Sequence, residues 1–390
     1  MVIQVQPRYS VQWFKRISDI PQAAWDDLAL PLKTPFLEWH WLHNLETSGS
    51  AIARKGWLPQ HLTLWRDQTL VAAAPLYIKG HSYGEFVFDH QWADVAYRMG
   101  IEYYPKLLGM TPFTPAEGYR FLIAPDEDED RLTGLMVQLI DGFCDQHQLS
   151  GCHFLFVDPD WQPIIERHGF KGWLHHSYIW QNEGFSSFDD YLGAFNANQR
   201  RNIKRERQSV TKAGLQLQTF RGEEIPVALY SRMHYYYSDT CDKFMWGSKY
   251  LTKRFFQDLQ ATYAHRVMFV TAYDKTPQQP VGMSFCLTKG DQLYGRYWGS
   301  DQVFDCLHFE ACYYAPIEWA VSQGIQRFDP GAGGRHKKRR GFRAMPNYSL
   351  HRFYVPRLQQ VFDHYIDQIN QEEQDEIEDI NRDLPFKQDP

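Results

Sequence analysis

The sequence predicts an α/β (α+β) chain made of two similar halves, each with a mixed, mostly antiparallel sheet. Three observations carry this. At 390 residues the chain exceeds one ordinary core and suits about two domains. It is 43% hydrophobic and 23% charged, so it can bury cores and is not a disordered chain. Strand patterns and helix patterns also follow one another in the same order twice; the order repeats, but no repeat of residues is visible.

In the first half, HLTLWRD and LVAAAPLYIKG alternate as strands around a short polar turn, and GEFVFDH reads as a third strand. After a long connection, RLTGLMVQLIDGFCDQH carries apolar residues at helical spacing. CHFLFVDP is a buried strand, DWQPIIERHGF a short helix ended by Gly169, and GWLHHSYIWQN a further strand.

The second half opens at FSSFDDYLGAFN. Ser186 or Ser187 can cap a helix that runs through NANQRRNIKRERQSVTKAG to Gly214. The strand LQLQTFR and the helices IPVALYSRMHYYYSDT and YLTKRFFQDLQATYA come next. Three strands then follow: VMFVTAYD, VGMSFCLTKG and QLYGRYWGS. FEACYYAPIEWAVSQG is a helix with a kink or break expected at Pro316. IQRFDPG and YSLHRFYV are strands, and RLQQVFDHYIDQINQEEQDEIEDINR is a long C-terminal helix. This order suits an acyltransferase fold of the GNAT type used twice, with domains expected at 1–182 and 183–390.

Composition narrows the function classes. The N-terminus lacks a basic-then-apolar signal pattern, and the longest apolar stretch is too short for a membrane span, so a cytoplasmic protein is expected. The six cysteines form no C-x-x-C pair, and neither H-E-x-x-H nor G-x-S-x-G occurs; no metal is expected. The net charge is -6, yet cations crowd Arg200 to Lys212 and Arg335 to Arg343. That distribution argues against DNA coating and for an anionic small-molecule or precursor substrate, or an RNA end.

Four regions are candidates for chemistry. In DPGAGGRHKKRRGF, Pro330 keeps Asp329 extended, and Gly331, Gly333 and Gly334 permit positive φ and close backbone approach. Arg335, Lys337, Lys338, Arg339 and Arg340 then supply charge, either to an anion or to the acidic C-terminal helix. The loop is neither a Walker A motif nor a dinucleotide fingerprint. On the basic helix, Arg200, Lys204 and Arg207 share a face, with Arg201 beside it; such a run is either a solvated face or a phosphate contact. Asp89 to Ile123 is long for a connection and aromatic-rich. It carries Asp94, Lys106, Glu117 and Arg120, and is read as a substrate wall. Glu310 falls in the first turn of a helix, where it suits the macrodipole, with His308 and the stretch from Arg296 to Ser300 expected at the same end of the sheet.

TPFLEWHWLHNLE, GWLPQHL, PLYIKGHSYGEFVFD, YYPKLLGMTPFTPAEGYR, HFEACYYAPIEWA and DPGAGGRHKKRRGF together resemble the FemAB-like family, the peptidoglycan biosynthesis/recognition proteins. These are predicted N-acyltransferases of the GNAT superfamily, and the likeness covers nearly the whole chain. It implies two tandem GNAT-like domains and transfer of an acyl or aminoacyl group to an amine acceptor, a peptidoglycan-precursor-like substrate among the candidates. Aminoacyl-tRNA is the donor that the related Fem-type ligases imply. The alternative is a non-catalytic module that recognises a cell-wall precursor or RNA. No cofactor is expected, because DQVFDCLH stands where coenzyme-A-dependent relatives carry a glycine-rich pyrophosphate loop. The catalytic candidates are His336, Glu310 and Asp329. The substrate-binding candidates are Lys106, Glu117, Arg120, Arg200, Arg201, Lys204, Arg296, Gly331, Gly333, Gly334, Arg335, Lys337 and Arg340. Where the family loop reads GAQGEHK, this chain has Gly333 and Arg335, and Arg335 cannot act as a base.

Overall fold

The computed structural model describes residues 9–87, 89–243, 248–275 and 279–387. The chain divides into two compact units. One comprises Met1–His175 and Asn347–Glu372, the other His176–Pro346 and Glu373–Pro390. This differs from a single cut at residue 182, because the chain returns. The end of strand Arg343–Phe353 pairs antiparallel with Gly151–Phe154, Leu350 opposite Phe154, so its last residues and the first part of helix Pro356–Arg382 belong to the first unit.

In the first unit, Tyr9–Phe14, His61–Arg66, Thr69–Ala74 and Leu122–Ile123 form a four-stranded antiparallel sheet. A second group contains Leu58–Pro59, Tyr77–Lys79, Lys106–Gly109 and Gly151–Phe154, whose last pair is parallel. Helix Glu129–Gln146 is capped by Asp128, which accepts from the Arg131 N–H at 3.0 Å. It buries Leu132, Met136, Ile140 and Phe143, one side chain per turn.

Two expectations fail here. GEFVFDH is not a strand: Gly84 lies in a turn, Glu85 and Phe86 are irregular, Phe86 has φ 59°, helix His90–Arg98 follows, and Phe88 lies outside the described residues. The segment from Asp89 to Ile123 is not one long loop either. It contains that helix and the buried strand Lys106–Gly109. The helical spacing of Trp92 and Ala96 was hidden by the aromatic density around it.

In the second unit the strand order is Gln216–Arg221, Val267–Tyr273, Gly282–Lys289, Gln292–Ser300, Arg327–Asp329 and the end of Lys171–Gln181. All neighbours are antiparallel except Gln292–Ser300 with Arg327–Asp329, which run parallel and are last paired at Tyr294 and Asp329. A bulge opposite Phe285 and Cys286 leaves Arg296 as the extra residue, which re-aims that side chain.

The helix expected from Ser186 to Gly214 is two helices, Phe188–Ala194 and Ala197–Lys212. Ser187 caps the first, while Asn196 caps the second by accepting from the Gln199 N–H at 2.9 Å. Phe195 between them is extended and buried. The break expected near Pro316 is a π-helical stretch, Glu310–Tyr314, between Leu307–Phe309 and Ala315–Ser322. Pro316 has no N–H to offer the carbonyl four residues back, so the ladder widens there.

Candidate functional site

The glycine loop leaves the carboxyl end of the parallel strand pair of the second unit, the position where open α/β sheets bind ligands. The Gly331 N–H donates to Asp329 Oδ1 at 2.8 Å, which folds the backbone back on itself. Gly331 has φ 87°, and a Cβ there would stand 3.0 Å from the Gly295 carbonyl oxygen, so only glycine fits. Gly334 has φ 93° and opens a 3₁₀ turn over Arg335–Arg340. Burial raises the Asp329 carboxyl, against the opposing pull of the Gly331 N–H.

The cations of that turn go to different places. Lys337 is buried, and its Nζ donates to the carbonyls of Gly331 at 2.5 Å and Ala332 at 3.2 Å. Burial pulls its ammonium down to about 8, although Asp329 opposes this. Arg340 is buried as well. It donates to Glu206 Oε2 at 2.7 Å and to the His336 carbonyl at 2.8 Å, and stacks 3.5 Å above the Phe309 ring. Arg335 pairs with Glu376, and Lys338 with Asp383 at 3.0 Å. Arg335 and Lys338 thus pair with the acidic helix, and Arg335, His336, Lys338, Arg339 and Arg340 line a cleft of about 570 Å³ with Glu376, Asp379 and Asp383.

The π-helical stretch and the basic helix supply the rest. The Tyr313 hydroxyl lies 2.9 Å from His336 Nε2. Burial lowers the His336 imidazole below the ordinary histidine value, with Arg340 and Lys337 adding to the shift, so the ring is neutral at pH 7. Its neighbour His308 is pushed by burial down to about 4. Tyr314 donates to Glu206 Oε2 at 2.5 Å, so Glu206 receives both Tyr314 and Arg340. Glu310 is buried and pairs with Arg207, which also binds Glu318 at 2.6 Å; burial raises the Glu310 carboxyl.

Thus His336, Asp329, Gly331, Gly333, Gly334, Arg335, Lys337 and Arg340 come together in the second unit. Arg296 lies close enough to affect the charge of both Asp329 and Lys337. Lys337 and Arg340, expected to face an anion, are turned inward. Arg200, Arg201 and Lys204 do not line this cleft. Arg201 and Lys204 are exposed, and Lys204 borders a separate depression beside Phe188 and Glu318. The basic helix instead gives Glu206 to the cleft and Arg207 to Glu310. Lys106, Glu117 and Arg120 lie in the first unit. Lys106 is buried and bound to Glu85 at 2.7 Å, Asp89 at 2.5 Å and Ser82 at 2.9 Å, while Arg120 pairs with Glu129 and, at 3.5 Å, Asp158. Sequence reasoning missed Tyr178, Glu206, Phe309 and Tyr313. The available signal was the aromatic run HFEACYYAP ahead of a helix-breaking proline.

Among the described residues no group of three or more His, Cys, Asp or Glu is placed to hold a metal ion, and no helix is long and apolar enough to cross a membrane.

A FemAB-like family profile, described as peptidoglycan biosynthesis/recognition, matches residues 16–388. No curated protein matches the chain. Solved structures of similar fold include FemX, at 10% identity over 88% of this chain and 98% of that one, with a TM-score of 0.53. The C-terminal domain of a putative lysylphosphatidylglycerol synthetase from Agrobacterium fabrum matches at 9% identity over 88% and 95%, TM-score 0.53. A conserved protein of unknown function from Bacteroides thetaiotaomicron matches at 12% over 88% and 99%, TM-score 0.50. These likenesses show a shared mixed, mostly antiparallel α/β fold.

Proposed function

The chain belongs to the FemAB-like family of peptidoglycan biosynthesis/recognition proteins, and from that premise we propose that it transfers an acyl or aminoacyl group to an amine of a cell-wall-precursor-like acceptor. The observation that carries this reading is the neutral His336 on the cleft wall, hydrogen-bonded to Tyr313. Amine attack on an ester or thioester needs a group that accepts a proton near neutral pH. In the proposed step the acceptor nitrogen bonds to the carbonyl carbon and the bond from that carbon to the donor oxygen or sulfur breaks. The His336–Tyr313 pair takes the amine proton and returns a proton to the leaving atom. Asp329 and Glu310 act as positioning residues, the first folding the glycine loop and the second holding Arg207.

Aminoacyl-tRNA is the donor class we favour. FemX and the lysylphosphatidylglycerol synthetase domain share the fold, and the segment Asp301 to His308 offers a pyrophosphate two acids and no glycine. The test is transfer of a labelled aminoacyl or acyl group onto the free amine of a nucleotide-linked muropeptide. His336→Ala should lower the rate constant by roughly 10²- to 10⁴-fold, the usual contribution of a positioned proton acceptor. Tight binding of the muropeptide without label transfer from either donor class would make the protein a recognition module instead.

A further inference from the structure

Four of the five cations in the 3₁₀ turn are committed within the fold. Arg335, Lys338 and Arg340 face Glu376, Asp383 and Glu206, and Lys337 faces carbonyls. Arg339 differs. It is exposed on the cleft wall, and among the described residues its guanidinium has no acidic, carbonyl or aromatic partner. Its backbone, by contrast, is fixed. Gln199 Nε2 donates to the Arg339 carbonyl at 2.7 Å, and the Tyr191 hydroxyl donates to the Arg340 carbonyl at 2.9 Å; Gln199 and Tyr191 are both buried. With the backbone anchored, the order lost on binding is confined to the Arg339 side chain, and its planar fork spreads that loss over two hydrogen bonds to one oxyanion.

The neighbouring ion pairs give the site a built-in competitor. Each pair has one partner largely in water, Arg335 at 80% exposure and Asp383 at 75%, and ion pairs open to solvent in this way are weak. A multiply charged ligand can take Arg335 and Lys338 from Glu376 and Asp383 without exposing a buried charge.

We propose that Arg339 makes the anchoring contact with a phosphate group of the substrate, and that Glu376 and Asp383 hold Arg335 and Lys338 until a second phosphate replaces them. The proposal rests on the reading of this cleft as the substrate site. Arg339 is therefore a specificity residue of the cleft, and the acidic end of helix Pro356–Arg382 stands in for the ligand's charge when none is bound.

The experiment is calorimetric titration of the full chain with inorganic diphosphate at low ionic strength. Arg339→Ala should weaken binding by about tenfold or more, as loss of a charge-assisted bidentate bond does. Arg339→Lys should recover only part of that loss, since lysine keeps the charge but not the fork. Arg335→Ala should weaken binding by about threefold or less, and Glu376→Gln with Asp383→Asn should tighten it by a similar factor, the scale of an exposed ion pair. All these side chains lie at the surface, so melting temperatures should stay at the wild-type value and exclude misfolding. Equal losses for Arg335→Ala and Arg339→Ala would show a diffuse cationic field and overturn the assignment. So would looser binding in the acidic double variant, or no diphosphate binding by the wild type. Because the readout is binding, failure of group transfer alongside an Arg339-dependent titration would remove the transferase reading and leave this contact standing.

Discussion

Lys106 in the first unit and Lys337 in the second are both almost wholly buried, and their surroundings differ in one respect that decides their chemistry. Lys106 faces two carboxylates, Glu85 and Asp89, with the Asp89 carboxylate also receiving Ser82 and Tyr103. Burial alone would strip its proton, but the two anions hold its ammonium above the ordinary lysine value. Among the described residues Lys337 has only carbonyl oxygens within bonding distance, and burial wins: its ammonium falls to about 8. In the first unit Lys79, over the Trp57 ring at 3.6 Å and 3.9 Å from Glu85, falls to about 7 by the same cause. Burial of a cation is thus compatible with a locked structural charge or with a titratable one, and the number of anions in contact separates the two.

The comparison breaks most sharply on removal of each charge. Lys106→Met leaves Asp89 buried without its cation and Glu85 with Lys79 alone, at 3.9 Å, and should cost about 3–5 kcal/mol. Lys337→Met strands two carbonyls and no anion in direct contact, and should cost about 1–2 kcal/mol. Urea unfolding of both variants checks this; equal losses would erase the distinction between the regions.

Alkaline pH sharpens it. The folded value of Lys337, about 8, lies below the ordinary 10.5, so between these limits the unfolded chain binds the extra proton and stability rises with pH. Lys106 runs the other way: its raised value contributes stability that is complete below 10.5 and is lost at higher pH. The stability difference between wild type and Lys337→Met should therefore shift in favour of wild type by on the order of 1–3 kcal/mol from pH 8 to 10.5. A flat difference would mean that Lys337 keeps an ordinary pKa.

The glycine loop, its delivery by IQRFDPG and the pairing of some of its cations with the C-terminal helix were legible, because glycine pattern and charge runs are local features of a sequence. The inward turn of Lys337 and Arg340 was not. It depends on a 3₁₀ turn that places residues three apart on the loop's inner side, whereas a charge run alone reads as solvated. The role of Lys106 was hidden for a related reason. Its partners Glu85 and Asp89 lie about twenty residues back, in a segment whose alternation imitates a strand. The return of Asn347–Glu372 to the first unit was equally invisible, since strand pairing at a separation near two hundred residues leaves no local trace.

A smaller effect concerns the segment before the π-helical stretch. Asp301 accepts from Arg232 at 2.5 Å, and Asp305 accepts from the Ser209 hydroxyl at 2.8 Å, so its acids are built into the second unit. Acetyl-coenzyme A titrated into the protein should give no binding heat at micromolar concentrations. Micromolar affinity lost on changing Asp301 to His308 would restore a coenzyme-A site there.

The central claim is that His336, kept neutral by burial and bonded to Tyr313, accepts the proton in the transfer step. Its most direct test is the pH dependence of single-turnover label transfer by the wild type and by His336→Ala. For the wild type the rate should rise with pH and level off below the ordinary histidine value of 6.5, because the imidazole of the folded protein titrates under it. In His336→Ala the remaining rate should be low and lack that acid limb. A variant that transfers label at the wild-type rate, with the same acid limb, would contradict the claim.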